Sequence, residues 1–420
     1  MIVSNCSIPL LGIVDTAILG HLHSAVYLAA VALGASVLSF LLWGFGFLRM
    51  GTTSEIARAF GRGDDQAQIK LLAQSMALAL IVAVIVIVVS PALFPLALTV
   101  MAPADDIRAL ALNYCLIRIS SAPATLLTYV LVGWFIGVQR TREPLLITVV
   151  TNSFNIVLDA LLILGLGLQS NGAALATVLA EYSGLALALW LLRNQWHAWP
   201  SLRPLKQVLR GCTQLFTTHW HLFVRTLCLL FAFAFFTSQG ARQGEVVLAA
   251  NAILMQLLAI ASYGLDGFAH AAEAMVGRAC GARNQRDFAR ASWMTAQWSL
   301  FTALGFSLVF FVAQKPLIAL MTDIEAVDAI TATYFPWLIA LPLVSVWCYW
   351  LDGVFIGAGK TLAMRNTLVL ACLVIFLPLW FFSRPLHNHG LWLSFLSFNA
   401  ARGSIMLFFY WRFTNDKNWY

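Results

Sequence analysis

Apolar residues in this chain come in long unbroken stretches, and polar ones are largely confined to short connections between them. The hydrocarbon core of a bilayer is about 30 Å thick, which an α-helix crosses in about 20 residues. Runs of that kind fall at 1–22, 26–48, 71–94, 109–138, 144–165, 172–194, 214–239, 246–272, 292–313, 330–357, 362–383 and 390–412. The longest polar connections, Arg49–Lys70, Arg193–Leu215 and Glu273–Ala291, leave no room for a separate soluble domain. The pattern predicts an all-α membrane protein with twelve transmembrane helices. The first run carries a charge in an apolar setting: in Leu10–Leu22, LLGIVDTAILGHL, Asp15 sits among Ile13, Val14, Ala17 and Ile18. Pro9 removes a helical hydrogen bond just before it, so this helix is expected to bend next to its acid.

The chain also repeats itself at one offset. Gly133-Trp-Phe-Ile-Gly137 returns as Gly353-Val-Phe-Ile-Gly357, 220 residues on. Leu28-Ala-Ala30 returns as Leu248-Ala-Ala250, and Arg58, Gly61, Met101, Tyr114 and Thr141 each have an identical mate at the same spacing. Six spans per half is an even number, so both halves enter the membrane from the same side. The expected architecture is two six-helix lobes, 1–200 and 201–420, related by a parallel pseudo-two-fold repeat with a substrate path between them. Met1 pairs with His221, several residues after the seventh span begins, so the first helix is expected to be clipped at its start.

Charge orients this plan. Of 25 basic residues, Arg108, Arg242, Lys315 and Arg384 fall in loops after odd-numbered spans and Arg118, Arg225 and Arg402 inside spans; the other 18 lie in loops after even-numbered spans or in the tail. The positive-inside rule then puts both termini in the cytoplasm. The loop asymmetry accounts for the net charge of +7 without a nucleic-acid partner. Composition agrees: 61% of residues are hydrophobic and 10% charged, against about 25% charged in soluble domains. Seven scattered cysteines with no CxxC argue against a disulfide framework or thiolate metal site. No phosphate-binding GxxxxGK[ST], G-x-S-x-G or HExxH occurs, so neither an ATP motor nor a hydrolase is expected.

Polar residues inside spans are the candidate chemistry, since an ionisable group at bilayer depth costs about 2.5–3.5 kcal/mol on insertion scales. Asn152, Asn155 and Asp159 share one face of the fifth span at i, i+3, i+7, and Thr177 and Glu181 share a face of the sixth at i, i+4. With Asp15 they would make one buried pocket whose neighbouring carboxylates bind protons; the competing reading is interhelical hydrogen-bond glue. In the second half, Asp266, His270 and Glu273 follow one face near the end of the eighth span, and Asp352 directly precedes Gly353. Asp266 and Asp352 are candidates for cation contact or proton relay, while His270 and Glu273 equally fit a solvated helix end. Arg118, Arg225 and Arg402 need buried partners or mark a central cavity; Arg402 stands one residue from the repeat mate of Glu181. His219-Trp-His221 and His387-Asn-His389 space their imidazoles at i, i+2, which do not share a helix face, so no metal site is expected.

LLGIVDTAILGHL, the loop AxxFGRGD (Ala57–Asp64) with its echo ACGARN (Ala279–Asn284), Ser121–Pro144, Asn152–Tyr182 and Tyr349–Asn366 together resemble the multidrug and toxin extrusion (MATE) family, in particular its bacterial DinF branch. The resemblance covers nearly the whole chain. It implies a two-lobe antiporter of the cytoplasmic membrane that exports amphipathic, often cationic compounds in exchange for H+ or Na+, with no cofactor. By resemblance, Asp15 matches the first-helix acid that binds the coupling ion, and Asn155, Asp159 and Thr177 match pocket residues of proton-coupled members. Two departures stand out. Family members usually begin about 20 residues earlier, in keeping with the clipped repeat. Some Na+-coupled members carry an acid in the seventh helix where this chain has Arg225, which tilts the expectation toward protons. The expected protein is a monomeric efflux antiporter whose partners are a small amphipathic substrate and the bilayer. A flippase for a lipid-linked precursor is the alternative, and a membrane enzyme using His219 or His221 the remote one.

Overall fold

The computed structural model describes residues 25–101, 104–193 and 212–419, and the helix expected over 1–22, with Asp15, lies outside them. The described residues are mostly helical, with no strand among them. In chain order the helices are α1 Ala25–Trp43, α2 Phe47–Gly61, α3 Asp65–Met101, α4 Asp105–Arg118, α5 Ala122–Gly137, α6 Arg142–Asp159, α7 Gln169–Leu192, α8 Cys212–Ala241, α9 Glu245–Gly281, α10 Gln285–Val312, α11 Gln314–Met321, α12 Glu325–Gly357, α13 Thr361–Leu370, α14 Leu377–Ser383 and α15 His387–Asn415.

Several of these join into single spans. A 3-10 turn, Ile119–Ser121, links α4 to α5, and π-helical segments extend α6 over Ala160–Gly165 and join α13 to α14 over Ala371–Phe376. Among the described residues ten continuous apolar runs of spanning length result, the last of them Thr361–Asn415 with 55 residues. At 1.5 Å per residue that run would be about 80 Å long, far more than one bilayer. It folds back at Arg384–Leu386, where His387 takes a positive φ of 50°, and so crosses twice. Counted that way the described residues cross eleven times, in keeping with the all-α, twelve-helix, two-lobe plan expected from the sequence, whose first helix lies outside them.

Contacts group the chain into two compact units. Apart from its first residues, one holds the chain up to Ile56 together with Asp64–Phe216, and the other Ala57–Gly63 together with Thr217–Tyr420. The core of the first gathers Val31 and Leu38 of α1, Phe94 of α3, Tyr114 of α4 and Ala174 of α7. The second is packed by aromatic rings: Phe236 meets Trp392 edge-on at 4.8 Å, Phe235 meets Trp380 at 4.8 Å and Phe376 meets Phe398 at 5.6 Å. Large apolar side chains such as Val84, Val88, Phe311 and Phe382 stay outside, as expected where the solvent is lipid.

Glycines permit the closest approaches. In the second unit a Cβ on Gly61 would collide with the Arg278 carbonyl, and one on Gly281 with the Arg58 carbonyl, so the two repeat-related helix ends meet backbone to backbone. Arg278 also lies over the Phe60 ring at 5.7 Å. The tail closes on the same unit: Trp419 is buried against Phe288, Phe355, Tyr410 and Phe413.

Candidate functional site

The first unit builds a polar face from α6 and α7. The i, i+3, i+7 spacing puts Asn155 and Asp159 inward, each 1% exposed, while Asn152 is half-buried. The Asn155 amide donates to the Thr177 hydroxyl across the helix pair at 3.4 Å, and that hydroxyl donates to the Ala173 carbonyl at 2.9 Å. Asn155 Oδ1 has no hydrogen-bond partner among the described residues. Directly after Asp159 the helix widens into the π-helical turn Ala160–Gly165. Such turns are weak points in a helix and are frequent at functional sites. Asn155 and Thr177 are thus brought together, and Asp159 is buried one turn further along α6.

Glu181 is one turn further along α7 and behaves differently. It is not turned to the other carboxylate but to Arg118 at the end of α4, with Nη2 to Oε1 at 3.5 Å. Arg118 also donates to the Ser121 hydroxyl in the 3-10 turn that follows it. The expected pocket of first-half acids thus has an arginine beside Glu181, and its remaining acid, Asp15, lies outside the described residues. A permanent cation within reach is the stronger attraction for a carboxylate than a second acid.

The second unit has its own cluster, built from α8, α12 and α15. Asp352 Oδ2 accepts from Arg225 Nη2 and, at 3.1 Å, from Arg402 Nη2. Arg402 also donates to Asn399 Oδ1 at 3.0 Å, and Asn399 in turn donates to the Phe395 carbonyl at 2.9 Å. All three charged side chains are under 10% exposed. Arg402 therefore has the buried carboxylate partner its position required. Asp352, expected as a site for cation contact or proton relay, is held by two guanidiniums, whose charge more than matches its own. Asp266 on α9 lies close enough to Tyr263 and Tyr349 to act on them electrostatically, and the Tyr349 hydroxyl donates to or accepts from Ser262 at 2.7 Å.

Glu273 is not at a solvated helix end. α9 runs on to Gly281, and Gly357 packs against the Glu273 backbone, which leaves Glu273 2% exposed. The histidines of the HxH pairs find separate partners: His221 Nδ1 faces Thr361 Oγ1 at 3.2 Å, and His389 Nδ1 accepts from Trp337 Nε1 at 3.1 Å. In the connection after α12, burial lowers the Lys360 pKa below its usual value, and repulsion from Arg58 adds to the shift.

Sequence reasoning missed five residues that make buried polar contacts. Asn399 lies at i−3 from Arg402, a spacing that could have flagged it. Ser121 lies at i+3 from Arg118 in the same way. A reciprocal amide pair, Asn251 with Asn388 at 2.9 Å in both directions and Trp392 Nε1 on the same Asn251 oxygen at 2.9 Å, joins residues 137 apart and left no local signal.

Comparison with known proteins fits this geometry. The family model MatE matches twice, at residues 1–161 and 222–382, two segments 221 residues apart. DNA damage-inducible protein F of Escherichia coli K12 is 40% identical over 423 residues, covering 100% of this chain and 92% of the relative. A probable multidrug resistance protein NorM of Thermotoga maritima is 24% identical, covering 96% of this chain and 88% of its own length. Among solved structures, a MATE transporter in complex with MaD3S superposes with a TM-score of 0.87 at 21% identity, over 99% of this chain and 94% of that one. A Vibrio cholerae MATE transporter gives 0.87 at 21% identity, over 100% and 95%. A family model laid down twice along one chain, at the spacing the sequence repeats itself, and a relative alike from end to end leave a single reading: the chain belongs to the MatE family of multidrug and toxin extrusion transporters.

Proposed function

We propose that this efflux transporter is an antiporter driven by protons, and that Asp15 and Asp159 carry them, with Asn155 and Thr177 as the neutral partners of the site. The observation that supports this reading is the burial of Asp159 beside Asn155, at the point where α6 loosens into its π-helical turn. A carboxylate kept from water exchanges its charge for a proton, and a helix that can rewind at that point converts the exchange into movement. In the second unit Asp352 is already held by two arginines, which weighs against a Na+ site there. The substrates are amphipathic compounds, cationic ones included. The protein works as a monomer in the inner membrane with both termini in the cytoplasm. A lipid-linked-precursor flippase gains no support, because Arg118 and Arg225 are each paired with a carboxylate.

Dye efflux from inverted vesicles tests the proposal. An imposed pH gradient should drive export in wild type and an imposed Na+ gradient should not. Asp15→Asn and Asp159→Asn, each fixed in the neutral form, should insert normally and lose gradient-driven export. Wild-type rates in both variants under a pure pH gradient would move the proton site elsewhere, with Asp266 the next residue to test.

A further inference from the structure

We propose that the Arg118–Glu181 pair is the seat for the cationic group of the substrate: the guanidinium holds the carboxylate in the empty transporter, and an amphipathic cation displaces it. The inference rests on the export reading above and names the residue that recognises the substrate's charge.

Two features separate this pair from the other buried ion cluster, and a third lets it open. Its contact is single and long, one nitrogen to one oxygen at 3.5 Å, where Asp352 is gripped by two arginines. Its side chains are 12% and 22% exposed, against 4–9% for Arg225, Asp352 and Arg402. Arg118 has a second acceptor, the Ser121 hydroxyl, so a guanidinium pushed off Glu181 keeps a hydrogen bond.

The exposed part of Glu181 belongs to a polar face. Thr177, one turn before it on α7, meets Asn155, and a carboxylate facing hydrocarbon would be costly. Tyr129 of α5 is in the same neighbourhood, close enough for Glu181, Arg118 and Arg49 to act on it electrostatically. A carboxylate receives an organic cation by charge. An ammonium or delocalised cation replaces Arg118 without leaving Glu181 unpaired at any point. That makes binding an exchange of partners rather than the burial of a new charge.

The test is equilibrium binding of tetraphenylphosphonium, a permanent lipophilic cation, to the full chain in lipid nanodiscs without any ion gradient. Its isosteric anion, tetraphenylborate, is the control for shape. Arg118→Met frees the carboxylate and should tighten tetraphenylphosphonium binding about tenfold, and Glu181→Gln should weaken it about tenfold, the scale of one charge-assisted contact. The double variant should follow Glu181→Gln, because no carboxylate remains for the arginine's removal to free. Tetraphenylborate should gain nothing from Arg118→Met. Unchanged or weaker tetraphenylphosphonium binding in Arg118→Met, or equal tightening of both ions, overturns the proposal. If Arg118→Met does not fold, Arg118→Gln keeps a donor for Ser121 and carries the same expectations. Because no gradient is used, a wild type that follows this scheme but exports nothing under a pH gradient refutes the coupling reading and leaves the seat standing.

Discussion

Asp352→Asn is the most direct probe of what holds the second unit together. The substitution keeps the shape of the side chain and removes its charge. It leaves Arg225 and Arg402, both under 10% exposed, facing each other across a neutral amide. Removing one partner of a buried ion pair strands the other and costs about 3–5 kcal/mol, whereas an exposed pair is worth about 0–1 kcal/mol. Here one carboxylate oxygen serves two cations, so the upper range is expected. Arg402→Met should cost less, because Asp352 keeps Arg225. Combining the two should cost less than the sum, since Arg402 is no longer present to be stranded. Equilibrium unfolding by SDS titration in mixed micelles, followed by tryptophan fluorescence, measures all three. A loss below about 1 kcal/mol for Asp352→Asn would place the cluster in water and refute the reasoning.

Three further outcomes follow from packing. Gly281→Leu puts a side chain where the Arg58 carbonyl lies and should raise hydrogen exchange across 57–63 by about tenfold or more as that segment lifts off; unchanged protection would show that the backbone contact is dispensable. Asn251→Leu leaves the Asn388 amide and the Trp392 indole unsatisfied in a dry core and should cost about 2–3 kcal/mol in the same SDS titration. Trp419→Ala empties a cage of four rings and should make the tail a site of rapid proteolysis, while unfolding of the rest of the unit shifts little.

Membrane topology was written along the chain because it is a one-dimensional property. A span is a length of apolar residues, orientation is a count of Lys and Arg, and the two-lobe plan is an offset between identical motifs such as Gly133–Gly137 and Gly353–Gly357. Polar residues on a common helix face were legible for the same reason: Asn155 and Asp159 are set by helical period alone, and both point inward. Tertiary structure decided which charge meets which. Arg225 and Asp352 are 127 residues apart and Arg118 and Glu181 63 apart, so no local spacing could pair them. Helix ends followed the same division. Glu273 reads as an exposed end because hydropathy falls there, yet α9 continues two turns further because Gly357 lets α12 pack against its backbone. Sequence thus fixes what must leave water, and only the packed helices fix the partner each buried charge finds there.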